Sequence, residues 1–73
     1  MIRRDLQRFF AAGERIDIIY LDRRGQVTKR MLRILGLTDS RLKAYCYTRR
    51  APRVFDIANI LAVSPAQRRA AGR

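Results

Sequence analysis

The most regular stretch of the chain is RLKAYCYT, residues 41–48, and its alternation decides the fold class. Leu42, Ala44 and Cys46 point to one side of an extended strand, because successive side chains of a strand point to opposite faces. The opposite face carries Arg41, Lys43, Tyr45 and Tyr47. One apolar face and one basic-aromatic face predict a sheet that buries only one of its sides.

Further extended segments flank this stretch and are separated by turn-forming residues. The sequence Asp-Arg-Arg-Gly at 22–25 is typical of a tight hairpin loop, and Gly36 predicts a bend or bulge within the strand that follows it. Pro52 excludes the loop at 49–52 from any central strand. Five strands are predicted in all, at residues 15–21, 26–37, 41–48, 53–57 and 60–63.

A short amphipathic helix is predicted at residues 2–12, with Gly13 placed to end it. Its apolar stripe consists of Ile2, Leu6, Phe9 and Phe10. A helix of this length is marginal by itself, so we expect both phenylalanines to dock on the sheet.

One helix followed by five short strands with hairpin-length connections predicts a mainly β fold. We expect a small five-stranded Sm-like or SH3-type barrel, since a curled antiparallel sheet removes its own edges. A flat sheet with one helix is the alternative. The predicted organisation is a single domain at residues 1–63, followed by a flexible basic tail at 64–73.

The charge balance points to a polyanionic partner. The 73 residues contain 17 Lys and Arg against 6 Asp and Glu, giving a net charge of +11, and 15 of the cations are Arg. The guanidinium group offers a planar set of donors that suits phosphate and stacks on bases. Nucleic acid is therefore the first candidate partner and an acidic protein the second. The alternative is an Arg-rich surface that is merely solvated.

Nothing in the composition favours catalysis. The chain has no histidine, and its single cysteine, Cys46, lies on the apolar side of its strand. Cys46 is therefore expected to be a buried hydrophobe and not a nucleophile, and a lone cysteine forms neither an internal disulfide nor a structural zinc site. We predict a protein that is not an enzyme and needs no cofactor. Without a long apolar segment, it is expected to be cytoplasmic and not bound to a membrane.

The basic-aromatic face of residues 41–47 is the main candidate site. Tyr45 and Tyr47 have the spacing at which rings stack bases, while Arg41 and Lys43 contact phosphates. The tyrosines could equally pack under the helix or a neighbouring strand. For Arg23, Arg24, Arg49 and Arg50, at the loop tips, plain solvation is the simpler interpretation.

Spaced motifs across most of the chain resemble the WYL domain, a bacterial family with an Sm-like barrel. The matching positions are Tyr20 and Asp22, Arg30 and Leu32, Leu42, Ala44, Tyr45 and Cys46, Arg53 and Phe55, and Ile57 and Ile60. The sequence departs from the family pattern at 40–42, where only Leu42 of the naming tripeptide remains, and at Asn59, where an arginine is usual.

The resemblance implies a regulatory, ligand-sensing module, free-standing here, in the setting of transcription regulation. It also implies that Arg30 and Arg53 contact an anionic ligand, although either could instead pair with an aspartate at 17, 22 or 56. The predicted nucleic-acid or nucleotide contacts are Arg30, Arg41, Lys43, Tyr45, Tyr47 and Arg53. The alternative function is a protein-interaction module that binds an acidic partner or self-associates.

Overall fold

The computed structural model describes residues 2–66, which form one helix and five strands. The elements are α1 (Ile2–Ala12), β1 (Arg15–Leu21), β2 (Val27–Leu37), β3 (Arg41–Cys46), β4 (Ala51–Asp56), a 3-10 turn (Ile57–Asn59) and β5 (Ile60–Pro65). All five strands join in one antiparallel sheet with the order β4-β3-β2-β1-β5. The mainly β fold with an N-terminal helix is therefore confirmed.

The sheet curls, because its first and fourth strands meet across its buried side. The ring of Tyr20 on β1 stands edge-on to that of Phe55 on β4, with centroids 5.0 Å apart. The Tyr20 hydroxyl also accepts a hydrogen bond from the backbone N–H of Asp56, at 3.3 Å. Since β2 and β3 lie between these strands in the sheet order, a flat sheet would hold them too far apart.

The predicted closure into a barrel is not confirmed. The strands β4 and β5 follow each other through the 3-10 turn and form the two edges of the sheet, and no backbone pairing joins them within residues 2–66. A barrel removes its edges only when the last pair of strands is hydrogen-bonded. The observed architecture is a curled, open five-stranded sheet.

The inner face of the sheet forms the core, together with the middle of α1. The alternation predicted for β3 is confirmed, since Leu42, Ala44 and Cys46 are fully buried. The whole set of buried apolar residues is Leu6, Ile16, Ile18, Leu32, Ile34, Leu42, Ala44, Cys46, Phe55 and Ile60. Cys46 therefore has the environment of a small hydrophobe, as expected.

The docking of α1 differs from the prediction at Phe10. Leu6 is fully buried and Phe9 packs against the core, whereas Phe10 is 42% exposed. At 100° per residue, Ile2 and Phe9 lie on one side of Leu6, and Phe10 lies on the other. The helix is rotated toward the first side, so Phe10 is left on its flank.

Several strand boundaries also differ from those predicted. The fourth strand begins at Ala51 instead of Arg53, so Pro52 lies in an edge strand and not in the predicted loop, and it ends at Asp56 because Ile57 begins the 3-10 turn. The third strand ends at Cys46 instead of Thr48, because Tyr47 begins a turn in which Arg50 takes a positive φ of 58°. The fifth strand continues to Pro65, which pairs with Ile16 on β1. Ser64 and Pro65 thus belong to the sheet and not to the predicted tail, of which residues 67–73 lie outside the described residues. The predicted irregularity at Gly36 is present as a register shift between β2 and β3.

Each edge of the sheet carries one of the two prolines of the chain, Pro52 in β4 and Pro65 in β5. A proline has no N–H to offer to an added strand, and proline is a common device for protecting sheet edges. On β4 the N–H of Asp56 is also occupied, by the hydroxyl of Tyr20. Both edges are therefore poor templates for strand addition.

We predict that Leu6→Ala lowers the free energy of unfolding by about 2–5 kcal/mol, since it leaves a cavity under α1. Phe10→Ala is the matched control on the same helix and should cost less than about 1 kcal/mol, because that ring is largely exposed. Urea denaturation of both variants measures the difference. Equal losses would contradict the observed rotation of the helix.

We predict that Tyr20→Phe keeps the ring contact with Phe55 but costs about 0.5–1.5 kcal/mol, because Asp56 loses its acceptor. The amide hydrogen of Asp56 should then exchange faster with solvent. Tyr45→Phe is the control, since Tyr45 lies on the other face of the sheet. Unchanged exchange at Asp56 in Tyr20→Phe would argue against the contact that curls the sheet.

Candidate anion-binding groove

A groove of about 770 Å³ opens between the β1–β2 hairpin and the end of β4, where the inner face of the sheet meets its β4 edge. Its lining residues are Tyr20, Asp22, Arg23, Arg24, Gln26, Thr28, Arg30, Arg41, Arg49, Arg53, Val54, Phe55, Asp56 and Asn59. None of them belongs to α1, which packs mainly on β2 and β5. The helix thus covers one part of the inner face, and the groove occupies another.

The groove is strongly cationic, with six arginines against two aspartates. Asp56 forms an ion pair with Arg41 at 3.3 Å, and both side chains are more than half exposed, so the attraction is weakened by solvent. Asp22 is committed to its own loop, where its Oδ1 accepts hydrogen bonds from the backbone N–H groups of Arg24 and Gln26. The remaining five arginines of the groove form no ion pair within residues 2–66.

The hairpin loop places Arg23 and Arg24 at the mouth of the groove. The N–H of Gly25 donates to the carbonyl of Asp22 at 3.0 Å, which closes a β-turn over the two arginines. Gly25 has φ of +79°, a conformation that glycine adopts without strain. The predicted hairpin therefore places Arg23 and Arg24 at the groove, although the sequence analysis favoured plain solvation for both.

Arg30 lies on the inner face, because its register partner on β1 is the fully buried Ile18. Its Nε donates to Thr28 Oγ1 at 3.4 Å, while its Nη1 is buried and has no acceptor within residues 2–66. A guanidinium N–H without an acceptor is unfavourable in a protein interior. The Nη1 group of Arg30 therefore lacks an acceptor within residues 2–66, while its side chain lines the groove.

Arg53 reaches the groove from the opposite side. It pairs in register with the buried Ala44, so it too projects from the inner face, but from an edge strand that leaves it exposed. Neither Arg30 nor Arg53 is paired with Asp17, Asp22 or Asp56. Asp17 instead lies 4.0 Å from Lys29, and Asp56 is held by Arg41.

The structure divides the predicted site residues between different surfaces. Arg30, Arg41 and Arg53 line the groove, and Lys43 borders an adjacent depression to which Arg41 and Val54 also contribute. Tyr45 and Tyr47 do not line the groove and pack against each other, with ring centroids 5.2 Å apart. Arg41, Lys43 and Tyr45 share the outer face of β3, as alternation predicted, whereas Arg30 and Arg53 project from the inner face of the sheet.

Sequence reasoning missed Arg23, Arg24 and Arg49 as groove residues, and Tyr20 as part of its wall. A signal for the inner face was nevertheless present: Arg30 lies two residues before the buried Leu32, and Arg53 lies two before the buried Phe55. Residues at this spacing share one face of a strand. The position of Arg49 depends on the irregular turn after β3, which no periodicity reports.

Comparisons with known proteins agree with the fold. No family model matches the chain, and no curated protein matches it. Among solved structures, proteasome accessory factor B/C (PafBC) of Arthrobacter aurescens is similar with a TM-score of 0.77 and 21% sequence identity. The match covers 96% of this chain and 12% of that protein, so the chain corresponds to a small part of PafBC. The likeness shows a shared fold.

We predict that the groove arginines repel each other enough to affect stability. Arg53→Gln should raise the melting temperature at low ionic strength, and added sodium chloride should reduce this gain, since salt screens exposed charges. Arg8→Gln is the matched control, because Arg8 is paired with Asp5 at 3.3 Å on α1. A lower melting temperature for Arg53→Gln at low salt would show that this arginine has an attractive partner.

Proposed function

We propose that the chain is a regulatory binding module that takes a nucleotide, or a nucleotide of a single-stranded nucleic acid, into the arginine-rich groove. The observation that carries this proposal is the convergence of six arginines on one groove, five of them without a carboxylate partner among residues 2–66. Phosphate is the ligand group that best matches several guanidinium forks at once.

The size and walls of the groove support a ligand of this class. Its volume of about 770 Å³ lies in the range of small-molecule sites, which is ~300–1,000 Å³. Tyr20, which packs edge-on against Phe55, supplies an apolar wall for a sugar or base, while Arg30 and Arg53 approach from β2 and β4. A ligand oxygen near Arg30 would provide an acceptor for its buried Nη1 group, which has none within residues 2–66.

The comparison supports a regulatory role as far as a shared fold can. PafBC is by name an accessory factor of the proteasome, and this chain has the fold of a small part of it. The sequence resemblance to WYL domains implies ligand sensing in transcription regulation. We accordingly propose a non-catalytic, cytoplasmic module. The absence of histidine and the full burial of Cys46 support the first of these properties.

The competing hypothesis is an interaction module that binds an acidic protein or a second copy of itself. Self-association through strand addition is disfavoured, because Pro52 and Pro65 occupy the two edges and Tyr20 occupies the N–H of Asp56. An acidic protein would satisfy the same arginines but would not require a groove with an apolar wall.

The test compares thymidine monophosphate with thymidine, by titration followed in amide chemical shifts. We expect the monophosphate to bind and the nucleoside to bind far more weakly. The double variant Arg30→Gln/Arg53→Gln should lose about tenfold or more in affinity per arginine, as hydrogen bonds to charged groups are worth ~1.5–3 kcal/mol. Arg4→Gln/Arg8→Gln on α1 removes the same charge away from the groove and should bind nearly as the original chain does.

Equal binding of thymidine and its monophosphate would contradict a phosphate site. If Arg30→Gln/Arg53→Gln keeps its affinity for thymidine monophosphate and its melting curve is unchanged, the binding site lies elsewhere. If polyglutamate binds and no nucleotide does, the acidic-partner hypothesis replaces this one.

A further inference from the structure

The outer face of the sheet carries a second cationic surface that is separate from the groove. One row of directly opposed residues crosses four strands on this face. From β4 to β1, the row consists of Pro52, Tyr45, Arg33 and Arg15. The row lies on the outer face because its neighbours in each strand, such as Ile16 and Leu32, are fully buried. Arg15 and Arg33 are exposed, and Tyr45 is half-buried.

A cluster of aromatic rings and a guanidinium group adjoins this row. Tyr45 and Tyr47 meet edge to face, at an interplanar angle of 73°. The guanidinium carbon of Arg15 lies 5.5 Å from the centroid of the Tyr47 ring. Aromatic rings and arginine planes are the platforms on which unpaired bases stack. We call the set Arg15, Arg33, Tyr45 and Tyr47 the outer patch.

The outer patch holds two like charges in an unfavourable arrangement. Arg15 and Arg33 face each other directly across β1 and β2, and like charges at directly opposed positions destabilise a sheet. Neither forms an ion pair within residues 2–66, and the nearby Asp17 is 4.0 Å from Lys29. An anion bound between the two arginines would relieve this repulsion.

Local contacts compensate only part of the positive charge of Arg15 and Arg33. The guanidinium of Arg33 extends toward Gly13, where a Cβ would lie 3.8 Å from its Nη2, just beyond the end of α1. Helix carbonyl ends favour a nearby cation, so α1 offsets some of the charge of Arg33. Arg15 lies against the ring of Tyr47 and forms no ion pair within residues 2–66, so the pair remains cationic.

We propose that the outer patch is a second contact surface for single-stranded nucleic acid, in which Arg15 and Arg33 hold phosphates and Tyr45 and Tyr47 stack bases. The inference takes the class of ligand from the proposed function but does not depend on the groove. Neighbouring strands lie ~4.8 Å apart, so the patch extends roughly 10 Å from Arg15 to Tyr45. A mononucleotide held in the groove would leave it unoccupied, whereas a longer strand would reach it.

The experiment measures binding of a labelled oligothymidylate of about 12 nucleotides by fluorescence anisotropy, over a range of salt concentrations. In Arg15→Gln/Arg33→Gln, affinity should fall and the salt slope should shrink by roughly 1.4, which is ~0.7 for each single-strand phosphate contact. Arg4→Gln/Arg8→Gln carries the same charge change on α1 and serves as the control.

Stacking is tested separately at Tyr45. Tyr45→Leu should weaken oligothymidylate binding by roughly 5- to 150-fold with little change in salt slope, while Tyr45→Phe, which keeps the ring, should bind almost normally. Melting curves of every variant identify any loss that comes from unfolding. A purely structural Tyr45 would change the melting temperature of Tyr45→Leu without changing the affinity of the folded fraction.

Thymidine monophosphate separates this inference from the proposed function. Outer-patch variants that no longer bind oligothymidylate but still bind the monophosphate support the proposed role of the outer patch. This conclusion holds even if the groove variants bind neither ligand. Folded outer-patch variants that bind oligothymidylate as tightly and with the same salt slope as the control overturn it, while leaving the groove untouched. If the original chain fails to bind oligothymidylate at all, the outer patch is overturned as well.

Discussion

The contact between Tyr20 and the end of β4 is what gives this sheet its functional shape. It joins the first and fourth strands across the inner face through a ring contact with Phe55 and a hydrogen bond from Asp56. Without it, β4 would project away from β1 and carry Arg53 with it. The groove exists because this one tyrosine holds the edge strand over the arginines of β2 and of the hairpin loop.

Apolar side chains cover only part of the inner face of the curled sheet. The proposed function follows from the part that they leave open. Leu6 of α1 and buried apolar residues of all five strands form the core on the inner face. Toward the hairpin loop, the same face carries Arg30 and Arg53 in place of hydrophobes. Burying unpaired guanidinium groups would be costly, so the sheet remains open where they lie. An unfilled inner face rich in arginine favours an anionic ligand over a larger core.

The sequence predicted those features that depend on side-chain alternation and local turn chemistry. The helix, the five strands, the hairpin at Gly25 and the buried side of β3 all follow from patterns within a few neighbouring residues. The rotation of α1 could not be predicted, because Phe9 and Phe10 both fit an apolar stripe and only the sheet beneath decides between them.

The candidate site was harder to predict for the same reason. Alternation correctly separated Tyr45 from Cys46, but it does not say which face of which strand borders a groove. That depends on how strongly the sheet curls, and hence on a contact between Tyr20 and Asp56, 36 residues apart. Lys43, Tyr45 and Tyr47 were therefore grouped with Arg30 and Arg53, which lie on the inner face of the sheet.

The last described residue, Ala66, lies far from the wall of the groove. Ala66 is hydrogen-bonded to Arg15, at the opposite end of β1 from Tyr20, and Ile2 begins the helix that packs away from the groove lining. At ~3.3 Å per residue, Arg15 and Tyr20 are separated by about 17 Å along the strand. The chain thus passes Ala66 well away from Tyr20 and from the groove that Tyr20 borders. A ligand in the groove would therefore leave the chain at Ala66 uncovered.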